Sequence, residues 1–303
     1  MSFLVLPCLD SPEMAESRRR ELDIPRHIAA ELGQSAMRAA VSGTYVTRDG
    51  HEVVWRDLVQ AACAGKRSIS PEASLSHDSR AGFAETRVQV TNETTLGAAR
   101  RLADGGRDPL ALNFANGVQP GGGFLTGARA QEETLCRSSA LYATLVGDPM
   151  YRAHRIRTHS DSTDWVIYSP DVPVFRRDDG TALEEPWLLS FLTCAAPYAP
   201  ALGQPLAGNL LQERIHRVLA VARACGHDTL VLGAWAAARS RTTSPGRPGT
   251  SGTRWKPSSP VRSPRSYSPS PTGRRTGCFS RRSAMCSRAD GVNEAKRYFH
   301  SKI

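Results

Sequence analysis

None of the seven cysteines (Cys8, Cys63, Cys136, Cys194, Cys225, Cys278, Cys286) sits in a C-x-x-C pair. That absence removes zinc-ribbon and dithiol redox chemistry, so no metal and no cofactor is expected. Isolated thiols of this kind suit a reducing cytosol, and a cytoplasmic location is expected. No apolar run is long enough to span a bilayer, so no membrane partner is expected. The N-terminal MSFLVLPCLDSPEM has no basic residue before its apolar run and acids after it. It therefore fails the pattern of a secretory signal. Residues 1–14 read as disordered or as a mis-extended start, with Met14 an alternative initiator.

Acidic residues are the next thing missing, and only from one region. Residues 236–289 carry 12 Lys+Arg and no Asp or Glu, while residues 1–235 carry 24 Lys+Arg against 27 Asp+Glu, a balance of −3. The formal charge of +10 is thus a property of the tail. Direct nucleic-acid binding by the globular part is not expected, although net charge alone would point there. Residues 236–289 also contain no Leu, no Ile and a single Val, Val261. Such a stretch cannot supply a helix and a core strand, and the tail is expected to be low in complexity and disordered.

What is present before residue 236 is regular. Residues 15–40 favour helix, with Pro25 breaking or starting one. YVTRDGHEVVW (45–55) reads as a hairpin turning at Asp49-Gly50, and 57–65 as a short helix. Residues 68–80 read as loop. Then strands and helices alternate: a strand at 83–90, a helix through 96–104 capped by Asn92 or Thr94, and PLALNFAN (109–116), a strand expected to be buried on both faces. A glycine loop follows. Residues 131–146 are expected as one helix with Leu135, Leu141 and Leu145 near one face. Strands at 165–175 and 187–196, an amphipathic helix at 209–225 and a strand at 227–235 complete the pattern. The alternation predicts an α/β fold with a mixed sheet between helical layers. Four regions result: 1–14, a helical N-terminal region 15–80, a core 81–235 and the tail 236–303. Ligands in such sheets sit at the carboxyl ends of strands, so the loop after Asn116 and the chain after Trp235 should line one cleft.

Asn113 to Tyr142, NFANGVQPGGGFLTGARAQEETLCRSSALY, carries the chemistry. Gly121, Gly122 and Gly123 permit positive φ and close backbone approach. Their amides can wrap an anion, helped by the positive end of the helix starting near Gln131. Taken alone, three glycines also describe a flexible turn. Glu132 and Glu133 fall in that helix's first turn, where acids also serve simply to complement the dipole. The dipole favours an ionised carboxylate. A general acid there needs a desolvated pocket or a bound pyrophosphate beside it. Cys136 reads as a buried helix cysteine, and His154 and His159 as solvated residues of a polar linker. Asp171 reads as closing a turn, with ligand contact an open alternative.

The spacing Gly-Gly-Gly, seven residues, Gln131-Glu132-Glu133 closely resembles the signature of the microbial poly(ADP-ribose) glycohydrolases, a branch of the macrodomain fold. The flanking NFANG and LCRSSALY, with YSPDVPVFR (168–176), TCAAPYAP (193–200) and LVLGAW (230–235), resemble it too. The resemblance implies a macrodomain-like three-layer α/β/α sandwich over roughly residues 15–235. It implies that Glu133 protonates the leaving oxygen of a ribose–ribose bond, and that Glu132 holds ribose hydroxyls. Asn116 would bind the same ribose. Gly121, Gly122 and Gly123 would lie against diphosphate and ribose, with Phe124 and Gln131 also among the substrate-binding residues. Poly(ADP-ribose), ADP-ribose and ADP-ribosylated proteins are the implied partners, and no metal is implied. The resemblance leaves open an ADP-ribose-binding module without turnover, or a hydrolase of single ADP-ribosyl groups.

After LVLGAW, relatives continue with a second diphosphate-binding glycine loop, of the form Gly-Cys-Gly-x-Phe-x-Asn-Asp, then a helix and a last strand. This chain reads AAARSRTTSPGRPG instead. Codons for Gly-Cys-Gly-Ala-Phe-Ala-Asn-Asp, read with their first base deleted, translate as Ala-Ala-Ala-Arg-Ser-Arg-Thr-Thr. That is Ala236–Thr243. A frameshift after Trp235 is therefore expected, and with it a chain of impaired stability and activity.

Overall fold

A computed structural model describes residues 2–75 and 83–235. The tail from Ala236, with the frameshift expected there, lies outside the described residues. Residues 2–5 are not disordered, contrary to expectation. They form strand β1 (Ser2–Val5), which pairs in parallel with β5 (Glu85–Val88) in a ribbon separate from the main sheet. The first helix, α1 (Pro12–Leu22), starts earlier than expected because Ser11 caps it, accepting the Met14 N–H at 3.1 Å. Pro25 starts α2 (Arg26–Ser42), one of the two readings open for it. The hairpin of β2 (Thr44–Val46) and β3 (Glu52–Val54) follows, then α3 (Arg56–Gly65).

Among the described residues the main sheet has five strands: β4 (Arg67–Ile69), β6 (Pro109–Ala115), β7 (Val166–Arg176), β8 (Ala182–Ala195) and β9 (Thr229–Val231). Their order is β4-β7-β8-β6-β9. β4, β7 and β8 are antiparallel neighbours, whereas β8, β6 and β9 run parallel. β4 lies in a stretch whose Ser and Pro content reads as loop. Its three residues gain their strand character only from pairing with β7.

The remaining helices are α4 (Thr95–Asp104), α5 (Gln131–Ser138), α6 (Leu141–Leu145), α7 (Pro149–Arg155), α8 (Ala199–Leu202) and α9 (Leu206–Ala224). Thr94 caps α4 through its side chain. Alternation along the strands sends Ala111, Ile167 and Phe191 to one face, packed with α2 to α6. Leu110, Leu112, Val166 and Leu192 face the other way, against Val218, Val221 and Ala222 of α9. Helices on both faces of a mixed sheet make the three-layer sandwich. Ala36, Tyr45, Trp55 and Val59 from the N-terminal region share the first core with Leu135 and Phe191.

The single helix expected over 131–146 is broken at Ser139. There the backbone is extended and bridges to Val174, with Ala140 N–H donating to the Pro173 carbonyl at 3.0 Å. Ser139 compensates locally: its hydroxyl donates to the Leu135 carbonyl at 2.7 Å and accepts the Leu141 N–H at 3.2 Å. The break turns Leu141 and Leu145 fully into the core.

Candidate active site

β6 is buried almost throughout because β8 and β9 flank it and helices cover both faces. Asn113 is its one polar side chain, and it is fully buried. Its Nδ2 donates to Thr193 Oγ1 at 3.2 Å and, more weakly, to Glu132 Oε1 at 3.4 Å. Sequence reading passed over Asn113, although an amide inside an apolar strand was a visible signal.

The chain leaves β6 through a tight turn. Asn116 Oδ1 accepts the N–H groups of Val118 and Gln119 at 3.1 and 3.2 Å. Gly121 and Gly122 then take φ of 67° and 55° in succession. A Cβ on Gly122 would stand 2.3 Å from Glu133 Oε1 and 3.2 Å from Glu132 Oε2. The loop thus lies directly over the two carboxylates, and only glycine permits that approach.

The loop amides do not form an open anion nest here. Gly123 N–H donates to Glu133 Oε1 at 3.0 Å, Gly122 N–H to the Gln119 carbonyl at 3.1 Å, and Gly121 N–H is directed at Glu132. They wrap the protein's own carboxylates, which the start of α5 delivers to the spot an external anion would take.

Gln131 is not turned toward a ligand either. Its Oε1 accepts the Phe114 N–H at 2.9 Å, and its Nε2 donates to the Leu112 carbonyl at 2.7 Å and to Thr95 Oγ1 at 3.2 Å. The carboxamide clamps the first residue of α5 to the backbone of β6 and to α4. Phe124 departs from its expected role as well. It is 1% exposed, with its ring against Tyr142 at a centroid distance of 4.7 Å. A side chain so enclosed anchors the loop from beneath and has no surface to offer a substrate.

Glu132 and Glu133 are 3% and 8% exposed. Asn116 N–H donates to Glu132 Oε2 at 2.6 Å. Burial pushes the Glu132 carboxyl from 4.5 up to about 8, and the neighbouring Glu133 adds to the rise against hydrogen bonds from Asn116, Asn113 and Gly121. Glu133 uses Oε1 for Gly123, and its Oε2 has no hydrogen-bond partner among the described residues. Tyr151 is buried with no hydrogen-bond partner for its hydroxyl among the described residues, and burial and Glu132 hold it well above the usual phenol range. Cys136 is buried, and the same causes hold its thiol protonated, so it fits the inert reading.

Two further expectations change. His154 is 4% exposed rather than solvated, with ring nitrogens engaged by Gly117 and Thr163, while His159 is exposed. Asp171 occupies the irregular stretch of β7 with φ 47°, its N–H donating to Ser190 Oγ. Ser190 pairs with Leu110, at the opposite end of β6 from Asn116, so Asp171 lies away from the glutamates. No group of three or more His, Cys, Asp or Glu among the described residues is disposed to hold a metal ion.

Two buried carboxyls under a glycine loop, at the carboxyl end of a central parallel strand, put this sandwich in the macrodomain-like class. Comparison with known proteins narrows the class. The model of the family described as microbial-type PARG, catalytic domain, matches residues 33–177. The poly(ADP-ribose) glycohydrolase of Thermomonospora curvata is 41% identical, with a TM-score of 0.66 over 70% of this chain and 81% of that one. The same protein bound to the inhibitor ADP-HPD gives 40% identity and a TM-score of 0.65, over 72% and 82%. The Deinococcus radiodurans enzyme in complex with ADP-ribose gives 40% and 0.53, over 61% and 79%. No curated protein matches. The chain belongs to the microbial-type poly(ADP-ribose) glycohydrolase family.

Proposed function

We infer that this chain hydrolyses the ribose–ribose O-glycosidic bonds of poly(ADP-ribose) and releases ADP-ribose, with Glu133 as the general acid. One observation carries the choice of acid. Gly123 holds Glu133 by Oε1 alone, which leaves Oε2 enclosed and without a partner among the described residues, so the glycine loop over it must shift to bring a ribose to that oxygen. Oε2 protonates the departing ribose oxygen, positive charge develops at the sugar's anomeric centre, and water attacks it with Glu133 acting in return as base. Glu132, its carboxyl pushed up to about 8 by burial, positions ribose hydroxyls beside its neighbour. Asn116, whose Oδ1 shapes the turn, offers its Nδ2 to the same ribose. Gly121, Gly122 and Gly123 border the ribose, their amides already engaged by Glu132, the Gln119 carbonyl and Glu133.

The ligand class is supported by the relatives, one bound to ADP-HPD and another to ADP-ribose. ADP-ribosylated proteins are the corresponding macromolecular partners. No described helix is long and apolar enough to cross a membrane. A cytoplasmic site of action accords with the five free cysteines among the described residues.

The test is Glu133→Gln, measured for ADP-ribose binding and for polymer hydrolysis. Binding within about threefold of the unsubstituted chain and turnover lower by about 10²-fold or more are expected. Turnover that survives the substitution removes Glu133 from the acid role. Turnover of singly modified protein but not of polymer would identify a mono-ADP-ribosyl hydrolase instead.

A further inference from the structure

His154 sits on α7 yet reaches the turn that follows β6. Thr163 donates its backbone N–H to Nε2 at 3.0 Å, which makes Nε2 an acceptor. The ring proton is therefore on Nδ1, which donates to the Gly117 carbonyl at 3.0 Å. The Thr163 hydroxyl lies 2.7 Å from Nε2 and accepts the Trp165 N–H, so its own hydrogen also faces the ring. Gly117 is closely surrounded in this seat. A Cβ there would meet Ser162 Oγ at 2.8 Å, Ala195 Cβ at 3.0 Å and His154 Nδ1 at 3.2 Å. The segment holding Thr163 is itself fixed to α9. Arg214, 2% exposed, donates from Nε to the Thr163 carbonyl at 3.1 Å and from Nη2 to the Asp161 carbonyl.

We propose that His154 is a positioning residue of the glycosidase site: its neutral imidazole, seated on the Thr163 N–H, fixes the Gly117 carbonyl, and with it the turn that carries Asn116 and the glycine loop to Glu132 and Glu133, and protonation of the ring breaks the seat on Thr163 and so loosens that turn. An imidazolium keeps its Nδ1–H on the Gly117 carbonyl but turns a second N–H, at Nε2, toward the N–H of Thr163, so the ring loses its hold on the segment that Arg214 fixes to α9. The charged groups acting on the ring are Arg214 from α9 and Arg157 and Asp161 from the segment after α7, the last two paired at 2.7 Å. Burial depresses His154 below 6.5, and both arginines push the same way against the Gly117 hydrogen bond and Asp161. A depressed histidine contributes fully above its unfolded value. Its contribution is lost as pH falls from there through the folded value.

The kinetic consequence rests on the glycohydrolase reading; the consequence for amide exchange does not. His154→Leu removes the donor, and His154→Asn keeps a side-chain donor that does not titrate. In the full chain, His154→Leu should lower kcat about tenfold or more with KM within about threefold. Hydrogen exchange at the Gly122 and Gly123 amides should rise while protection along β7 is unchanged. The unsubstituted chain should lose kcat, and loop protection corrected for intrinsic rates, as pH falls below 6.5. His154→Asn should not show that acid limb. Unchanged exchange and kcat in His154→Leu, or the same acid limb in His154→Asn as in the parent, overturns the proposal. Should His154→Leu lose β7 protection, the pH comparison of His154→Asn with the parent decides alone. Should the parent show no turnover, the glycohydrolase reading fails while the exchange data still decide the role of His154.

Discussion

At position 132 a carboxyl group sits among an Asn side chain, two backbone amides and a second carboxyl, nearly out of reach of water. Its raised value has a consequence for stability. A carboxyl that ionises near 8 when folded and near 4.5 when unfolded binds more protons in the folded state between those values. Folding stability from this group is complete below about pH 4.5 and falls as pH rises toward 8, by at most about 1.4 kcal/mol per pH unit. Glu132→Gln, which cannot ionise, should therefore be more stable than the parent at pH 8 and indistinguishable at pH 4. Denaturant unfolding at the two pH values checks this. A stability difference of the same size at both would show that Glu132 does not ionise abnormally. The pairing of Glu132 with Glu133 was legible in the sequence because both fall in one helical turn. Their unequal surroundings were not, because those depend on Asn113, Asn116 and Gly123, which arrive from a strand and a loop. His154 was illegible for the same reason: its partners are a backbone carbonyl 37 residues earlier and a threonine nine residues later.

Helix α5 brings the glutamates to the loop, and Gln131 sets where it begins. Periodicity found the strands, since PLALNFA is apolar apart from Asn113 and alternation marks the others. A cap at Asn92 or Thr94 and a helix break or start at Pro25 were equally readable, because capping and proline rules act within a few residues, and the structure selects Thr94 and the start. Three features escaped: the break at Ser139, the short strand β4 and the separate pairing of β5 with β1. Each is fixed by a strand remote in sequence and not by local propensity. The task of Gln131 escaped likewise, since its partners lie on β6 and α4. Gln131→Ala should remove three hydrogen bonds and destabilise the protein by roughly 2–3 kcal/mol. It should lower kcat more than it raises KM, because α5 loses its register on β6. A Gln131→Ala chain with unchanged unfolding midpoint and a raised KM would return this residue to direct substrate contact. Thermal unfolding beside steady-state kinetics separates the two.

Across the whole molecule, the N-terminal helices and the strands from β6 onward share one core, so a boundary near residue 80 marks a change of pattern and not of domain. The other end is different. Among the described residues β9 is the edge of the sheet, only three residues long, and Leu232 just beyond it is 51% exposed. A parallel edge is ordinarily covered by another strand or a helix. The sequence after Trp235 has neither Leu nor Ile until the chain's last residue, Ile303. We propose that a frame change removed the covering elements and the second glycine loop that relatives place there. A chain continued from Trp235 in the Gly-Cys-Gly-Ala-Phe-Ala-Asn-Asp frame should then unfold about 5 °C higher or more, since each kcal/mol gained raises Tm by roughly 2–4 °C at this size. Its polymer turnover should exceed that of the present chain by about tenfold or more, because a diphosphate held from both sides orients the scissile ribose against Glu133. Equal melting temperature and equal turnover in the two chains would instead make the basic tail an evolved part of a working enzyme.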